Sequence, residues 1–222
     1  LAPNRRASGA LGRRETLVSG LALAAAFALS SLATHPAQAA PEGGAVAARR
    51  FVADLTGKAI AAVVDRSPVA AHNSQRFRDV FVASFDLPAI GELALGRHWR
   101  AATPDQRTRF LALFERQQVL IFAGRFRYIS SKTMTIDSAD AEAAGNWRVP
   151  SRVNRAEGRP IPVDWMVAQS RGGWRVNDLA IDGASMAFLL QADFAAVLRS
   201  NGENFDALLA AMQDKIAQLS AA

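Results

Sequence analysis

The stretch 103–129, TPDQRTRFLALFERQQVLIFAGRFRYI, constrains the fold more than any other part of the chain. It reads as one long helix with a defined start. Thr103 takes the N-cap, Pro104 the first helical position, and Gln106 completes a Thr-x-x-Gln capping box. Asp105 sets a negative charge beside the positive end of the helix dipole. Such a helix spans roughly 40 Å at about 1.5 Å per residue. Its first half is amphipathic: Phe110, Leu113, Phe114 and Ile121 share a stripe, while Arg107, Arg109, Glu115 and Arg116 lie elsewhere. The second half loses this division. Val119, Leu120, Ile121, Phe122 and Ala123 are consecutive, and Phe126, Tyr128 and Ile129 follow. A helix that is apolar nearly all round must be covered on more than one side. It is either the central core helix or the wall of a cavity that holds an apolar ligand.

Residues 1–39 read as an export signal and residues 40–222 as a single domain. Arg5, Arg6, Arg13 and Arg14 form a basic leader, and Leu17 to Ala33 is uncharged and rich in Ala and Leu. Ala37-Gln38-Ala39 then offers small residues where a signal peptidase reads. The Arg13-Arg14 pair is similar to a twin-arginine signal, with a Sec signal as the other reading. The alternative to both is an uncleaved anchor, for which the apolar run is at the short end of the roughly 17–25 residues a span needs. Those four arginines, less Glu15, supply half of the formal net charge of +6. Without them, a nucleic-acid partner loses most of its electrostatic argument. The chain has no cysteine, which excludes disulfides, a thiol nucleophile and thiolate metal sites.

After a leader at Pro41–Val46, helical spacing predicts Ala47–Val64, Ser74–Ser84 and Leu87–Leu95, the last with Asp86 as N-cap and Gly96 just past its end. Arg97–Arg100 reads as a connector. Beyond Ile129 the period changes to two. Met134 and Ile136 mark a first strand; Trp147, Val149 and Val153 mark a second, which Pro150 places at an edge or a bulge. Ile161, Val163, Trp165 and Val167 form one face of a third strand, and Gly172-Gly173 turns the chain into a fourth, Trp174–Ile181. There the apolar phase slips by one, predicting a bulge near Asn177-Asp178. Helices over Ser185–Arg199 and Asn204–Leu219 close the chain. Helices, a four-stranded antiparallel meander and two further helices make an α+β fold. A twisted sheet with helices on one face gives a cone whose mouth can admit a ligand.

Residues with reactive chemistry are few. Beyond the leader, His72 and His98 lack a partner at metal-ligand spacing, no Gly-rich phosphate loop follows a strand, and no G-x-S-x-G occurs. Asp178 and Asp182 stand four apart and could form a carboxylate pair, although positions at a bulge and before a glycine suit backbone hydrogen bonding better. No metal, cofactor or catalysis is expected. Arg148, Arg152, Arg155, Arg159, Arg171 and Arg175 gather on the outer side of the sheet, as a solvated face or as a contact for anionic headgroups or an acidic partner.

Two blocks carry a family resemblance. The first runs Phe85-Asp86-Leu-Pro-Ala-Ile, then Leu95-Gly96-Arg97-His98-Trp99-Arg100, then Ala102-Thr103-Pro104-Asp105-Gln106-Arg107 and Phe110. The second runs from Trp174 through Asp178 to Gly183-Ala-Ser185. Together they resemble the MlaC or toluene-tolerance family. The resemblance implies a periplasmic carrier, monomeric, with a nuclear-transport-factor-like cone. Such a carrier moves phospholipid between an outer-membrane lipoprotein–porin complex and an inner-membrane ABC transporter bearing an MCE-domain protein. Many members carry Tyr-Arg-Ser in the helix after the Gly-x-Ser turn, where this chain has Leu189-Leu190-Gln191-Ala192. That departure leaves the hopanoid-associated branch, with a polycyclic lipid cargo, as an alternative. The lipid pocket is expected to include Phe110, Phe114, Ile121, Phe122 and Phe188 from helices. From the strands it is expected to include Met134, Ile136, Trp147, Val149, Val163, Trp165, Val167 and Val176. The rival readings are a cone-fold isomerase or hydrolase using Asp178, and a periplasmic adaptor with a filled core. If the leader is an export signal, the intact mass of exported protein corresponds to a chain starting at Ala40; a mass that retains residues 1–39 contradicts it and revives the anchor.

Overall fold

The computed structural model describes residues 42–64, 70–126, 133–155 and 157–221. The leader, Tyr128 and Ile129 therefore lie outside the described residues. Five helices come first: α1 (Glu42–Val64), α2 (Ala70–Ser84), α3 (Leu87–Leu95), α4 (Arg97–Ala101) and α5 (Pro104–Phe126). The strands are β1 (Met134–Ile136), β2 (Asp140–Ala141), β3 (Asn146–Val153), β4 (Ile161–Ser170), β5 (Gly173–Ile181) and β6 (Ala184–Ser185). Helices α6 (Met186–Ser200) and α7 (Phe205–Ala221) follow.

The helix starts obey their caps. Gln106 donates its backbone N–H to Thr103 Oγ1 at 3.2 Å, and Thr103 donates its own to Gln106 Oε1 at 3.1 Å, closing the capping box. Ala89 N–H donates to Asp86 Oδ1 at 3.1 Å at the start of α3. Three boundaries differ from expectation. Helix α1 starts one turn earlier, through Gly43-Gly44, and α2 starts at Ala70. A Cβ on Gly44 would stand 2.3 Å from the Trp147 ring, so only glycine lets the first turn of α1 lie on that indole. The segment Arg97–Arg100, expected as a connector, lies in the short helix α4.

The sheet is antiparallel, in the order β1-β3-β4-β5-β6, with β2 also pairing with β3. The four expected strands are its body, and the two-residue strands β2 and β6 add to them. The second expected strand is not an edge despite Pro150, because β1 and β2 pair along one side and β4 along the other. Pro150 accepts at its carbonyl from Asp137 N–H, in the gap between β1 and β2. Its missing N–H thus falls where the ladder is already interrupted. The predicted bulge is present: Met166 pairs with Asp178 and Val167 with Val176, which leaves Asn177 as the extra residue. Asn177 Nδ2 donates across the sheet to Asn146 Oδ1 at 2.8 Å.

One face of the sheet enters the core. Trp147 and Val149, then Val163, Trp165 and Val167, then Val176 and Leu179 are buried. Phe81 of α2, Phe85 just past its end and Phe122 of α5 stack beneath them, with Phe85 reaching the Trp165 ring. A second aromatic group, Phe110, Phe114, Phe194 and Phe205, joins α5 to α6 and α7. On the opposite face the arginines of β3 are paired. Arg148 binds Asp140 at 2.6 Å, Glu142 at 3.4 Å and Asp164 at 3.5 Å, and Arg152 binds Asp137 at 2.8 Å. Within the basic face expected there, the two β3 arginines are therefore compensated locally.

One buried polar link ties the sheet's centre. Trp165 Nε1 donates to Ser151 Oγ at 2.9 Å, and that hydroxyl donates to the Val163 carbonyl at 2.9 Å. Ser151 is buried, so Ser151→Ala strands the indole N–H away from water. The loss is about 1–3 kcal/mol, or a fall in Tm of roughly 2–10 °C, measurable by thermal denaturation. An unchanged Tm contradicts this role.

Candidate functional site

The register of three strands assembles an apolar cleft at one end of the sheet. Val153 lies opposite Ile161 across the β3–β4 pair, and Val163 lies opposite Ile181 across β4–β5. Ile161 and Val163 are two apart on one strand and so face the same side. Ala184 pairs with Ile181 from β6. With Met186 and Leu189 from the first turn of α6, these side chains line a cleft of about 690 Å³. That is within the roughly 300–1,000 Å³ of ordinary small-molecule sites. Its polar margin is Thr133, Asn154, Arg125 from the last turn of α5, and Arg155. Among the described residues no carboxylate pairs with Arg125 or Arg155. The Arg125 guanidinium lies 5.6 Å over the Phe122 ring, and its Nη1 is 3.9 Å from Met186 Sδ.

What holds α6 beside the sheet is Asp178. Its carboxylate accepts from Ser185 Oγ at 2.5 Å, Ala187 N–H at 3.2 Å and Leu179 N–H at 2.8 Å. A negative charge at the start of α6 also complements the helix dipole. The chain reverses between β5 and β6 through Asp182 and Gly183, both at positive φ. Asp182 is tied to Arg159 at 2.6 Å. The two carboxylates considered as an acid/base pair thus have separate structural partners.

Further in, a small cavity of about 20 Å³ lies between the two aromatic groups. Phe81, Phe85, Leu87, Phe114, Phe122 and Leu179 wall it, Gln118 and Asp178 supply its polar atoms, and Met186 borders both this cavity and the outer cleft. Along α5 every fourth residue is buried: Phe110, Phe114, Gln118, Phe122 and Phe126. Gln118 interrupts a phenylalanine ladder. It is 2% exposed, and among the described residues neither its Oε1 nor its Nε2 has a hydrogen-bond partner. Gln117 Oε1 is likewise buried and unpartnered. Each such group costs about 1–3 kcal/mol.

The residues expected to line a pocket divide three ways. Val163 borders the cleft, and Phe114 and Phe122 border the inner cavity. Phe110, Trp147, Val149, Trp165, Val167 and Val176 are buried in the packed core and border neither. Ile121, Met134 and Ile136 are half-buried, and Phe188 is 64% exposed beside the cleft residue Leu189. Sequence reasoning did not place Val153, Ile161, Ile181, Met186, Leu189 or Arg125 in a pocket, and it named Arg155 only as part of the basic face. Their signal was present in the strand alternation, but locating the cleft needed the cross-strand register. A second depression, lined by Gln75, Arg78, Glu115, Arg116, Val119 and Leu120, is a helix-surface groove that carries an Arg78–Glu115 ion pair. His98 pairs with Glu203 at 3.1 Å.

The family model for MlaC protein matches residues 54–214, most of the chain. The chain belongs to the MlaC family. Among curated MlaC-like relatives, toluene tolerance protein ttg2D of Pseudomonas putida is 26% identical over 110 residues. That match spans only about half of each protein, 50% of this chain and 51% of the relative. A solved structure, the phospholipid-binding protein from Ralstonia solanacearum in complex with a phospholipid, is 25% identical with a TM-score of 0.66. It covers 78% of this chain and 98% of its own. The helix and antiparallel-sheet order of this MlaC-family chain is shared with that structure. No helix among its described residues is long and apolar enough to cross a membrane.

Proposed function

We propose that this protein is a periplasmic lipid carrier that holds a phospholipid with its acyl chains in the cleft between the sheet and α6. The observation that carries the reading is the apolar cleft itself, with Val153, Ile161, Val163, Ile181 and Leu189 as walls and Arg125 and Arg155 at its margin. Each buried methylene contributes about 0.8 kcal/mol. About ten of them contribute roughly 8 kcal/mol, the free energy of a micromolar complex. The two guanidiniums suit a phosphate that remains near solvent. The resemblance to a protein solved with a phospholipid supports the same class of cargo.

In this reading residues 1–39 direct export and residues 40–222 form the lipid-binding domain. The protein works as the monomeric soluble component of an ABC-type lipid transport system. It exchanges cargo with an inner-membrane transporter bearing an MCE-domain protein and with an outer-membrane lipoprotein–porin complex. The carrier role requires no bond chemistry, metal or cofactor.

Lipid extraction and mass spectrometry of the purified protein test the reading. Phospholipid co-purifies with the wild type. Ile181→Trp fills the cleft, so the variant carries less lipid while its delipidated Tm stays near that of the delipidated wild type. Val167→Trp, by contrast, overpacks a fully buried core position at a cost of about 1–3 kcal/mol and lowers Tm. Both proteins must be stripped first, because bound lipid itself raises Tm. No co-purifying phospholipid, or an unchanged load in Ile181→Trp, contradicts this assignment; a polycyclic lipid in its place moves the chain to the hopanoid-associated branch.

A further inference from the structure

The buried glutamine of α5 has no structural duty that the fold reveals. Positions 110, 114, 122 and 126 of the same helix face carry phenylalanine, and an apolar residue at 118 would complete the ladder without an unpartnered amide. Gln118 instead lines a cavity whose other walls are almost all hydrocarbon, and among the described residues its amide donor and acceptor have no protein partner. The cavity, at about 20 Å³, has room for one oxygen-sized group. Among the described residues lining it, Asp178 alone is charged, and its carboxylate already accepts three hydrogen bonds. A phosphate or other anion is excluded there by that negative charge. A plain alkyl chain would leave the amide unpaired. A neutral hydroxyl satisfies it, donating to Oε1 or accepting from Nε2.

Met186 connects this cavity to the cleft, because the one side chain borders both. Methionine is unbranched and repacks readily, so a rotamer change can join the two spaces. We propose that the cavity beside Gln118 is the inner end of the cargo site and selects a lipid whose buried hydrocarbon carries a hydroxyl group. This rests on the carrier reading above and adds the chemical class of the cargo's buried part.

Competition from mixed vesicles tests it. The vesicles contain a phosphatidylglycerol with two unsubstituted acyl chains and one of equal length bearing a single hydroxyl, with the hydroxyl moved along the chain in successive experiments. Mass spectrometry of the lipid bound to re-isolated protein gives the ratio. At one hydroxyl position the wild type favours the hydroxylated lipid by about three- to tenfold, the yield of one hydrogen bond that replaces an unpaired buried group. In Gln118→Met, and independently in Gln118→Leu, the ratio at that position falls to that of the other positions. Two substitutions of different shape keep the comparison open if one fails to fold. Equal retention at every position, or a preference that survives both substitutions, overturns the inference while leaving the carrier reading intact. Binding of no lipid by the wild type overturns the carrier reading, and this inference with it.

Discussion

The hydrogen bonds of one carboxylate hold the cleft in shape. Asp178 reaches the first turn of α6 through Ser185 Oγ and Ala187 N–H, and it does so from a strand whose neighbours belong to the core. The bulge at Asn177 makes this possible. With one extra residue in β5, Val176 and Leu179 both point inward although they are three apart, and Asp178 is set where its oxygens meet the start of α6. Without the bulge, strict alternation would place only one of those two apolar residues on the core face. The turn at Asp182 and Gly183 then folds the chain back so that Met186 and Leu189 come down beside Ile181.

Helix α5 supplies the counterweight. Its phenylalanines join two aromatic groups, one under the sheet and one against α6 and α7. These groups fix α5 relative to the sheet, and the end of α5 brings Arg125 to the margin of the cleft. The outer cleft is therefore placed in part by aromatic residues that do not line it. Gln118 sits where the two groups meet, which is why a space remains beside it: an amide cannot fill a phenylalanine's volume.

Much of the fold was legible because its signals are local. The capping box at Thr103 and Gln106, the cap at Asp86, the turn at Gly172-Gly173 and the phase slip in β5 each need only neighbouring residues. What failed locally depended on distant partners. Pro150 implied an edge or a bulge, and the gap between β1 and β2 accommodates it inside the sheet. The arginines of β3 read as a solvated face or as a contact for an anionic partner, and the pattern did not show that Asp137, Asp140, Glu142 and Asp164 come from neighbouring chain segments to pair with them. The family was legible from its two motif blocks. The pocket was not: long apolar stripes mark both cores and cavities, and Val167 or Val176 cannot be told from Val163 by pattern. Their difference is position along the strand, since Val163 pairs with Ile181 and borders the cleft with Met186 and Leu189, whereas Val167 pairs with Val176 in the packed core.

The claim that acyl chains occupy the space between the strand ends and α6 can be tested by direct contact. A phosphatidylglycerol with a diazirine in one acyl chain, loaded into the protein, irradiated and mapped by peptide mass spectrometry, reports the walls around the chain. Labels are expected on 153–163 and on 181–190, with a lesser share on the α5 segment around Phe114–Phe122. Labels concentrated on the groove lined by Gln75, Arg78, Arg116 and Leu120, with none on the strand ends, would contradict it.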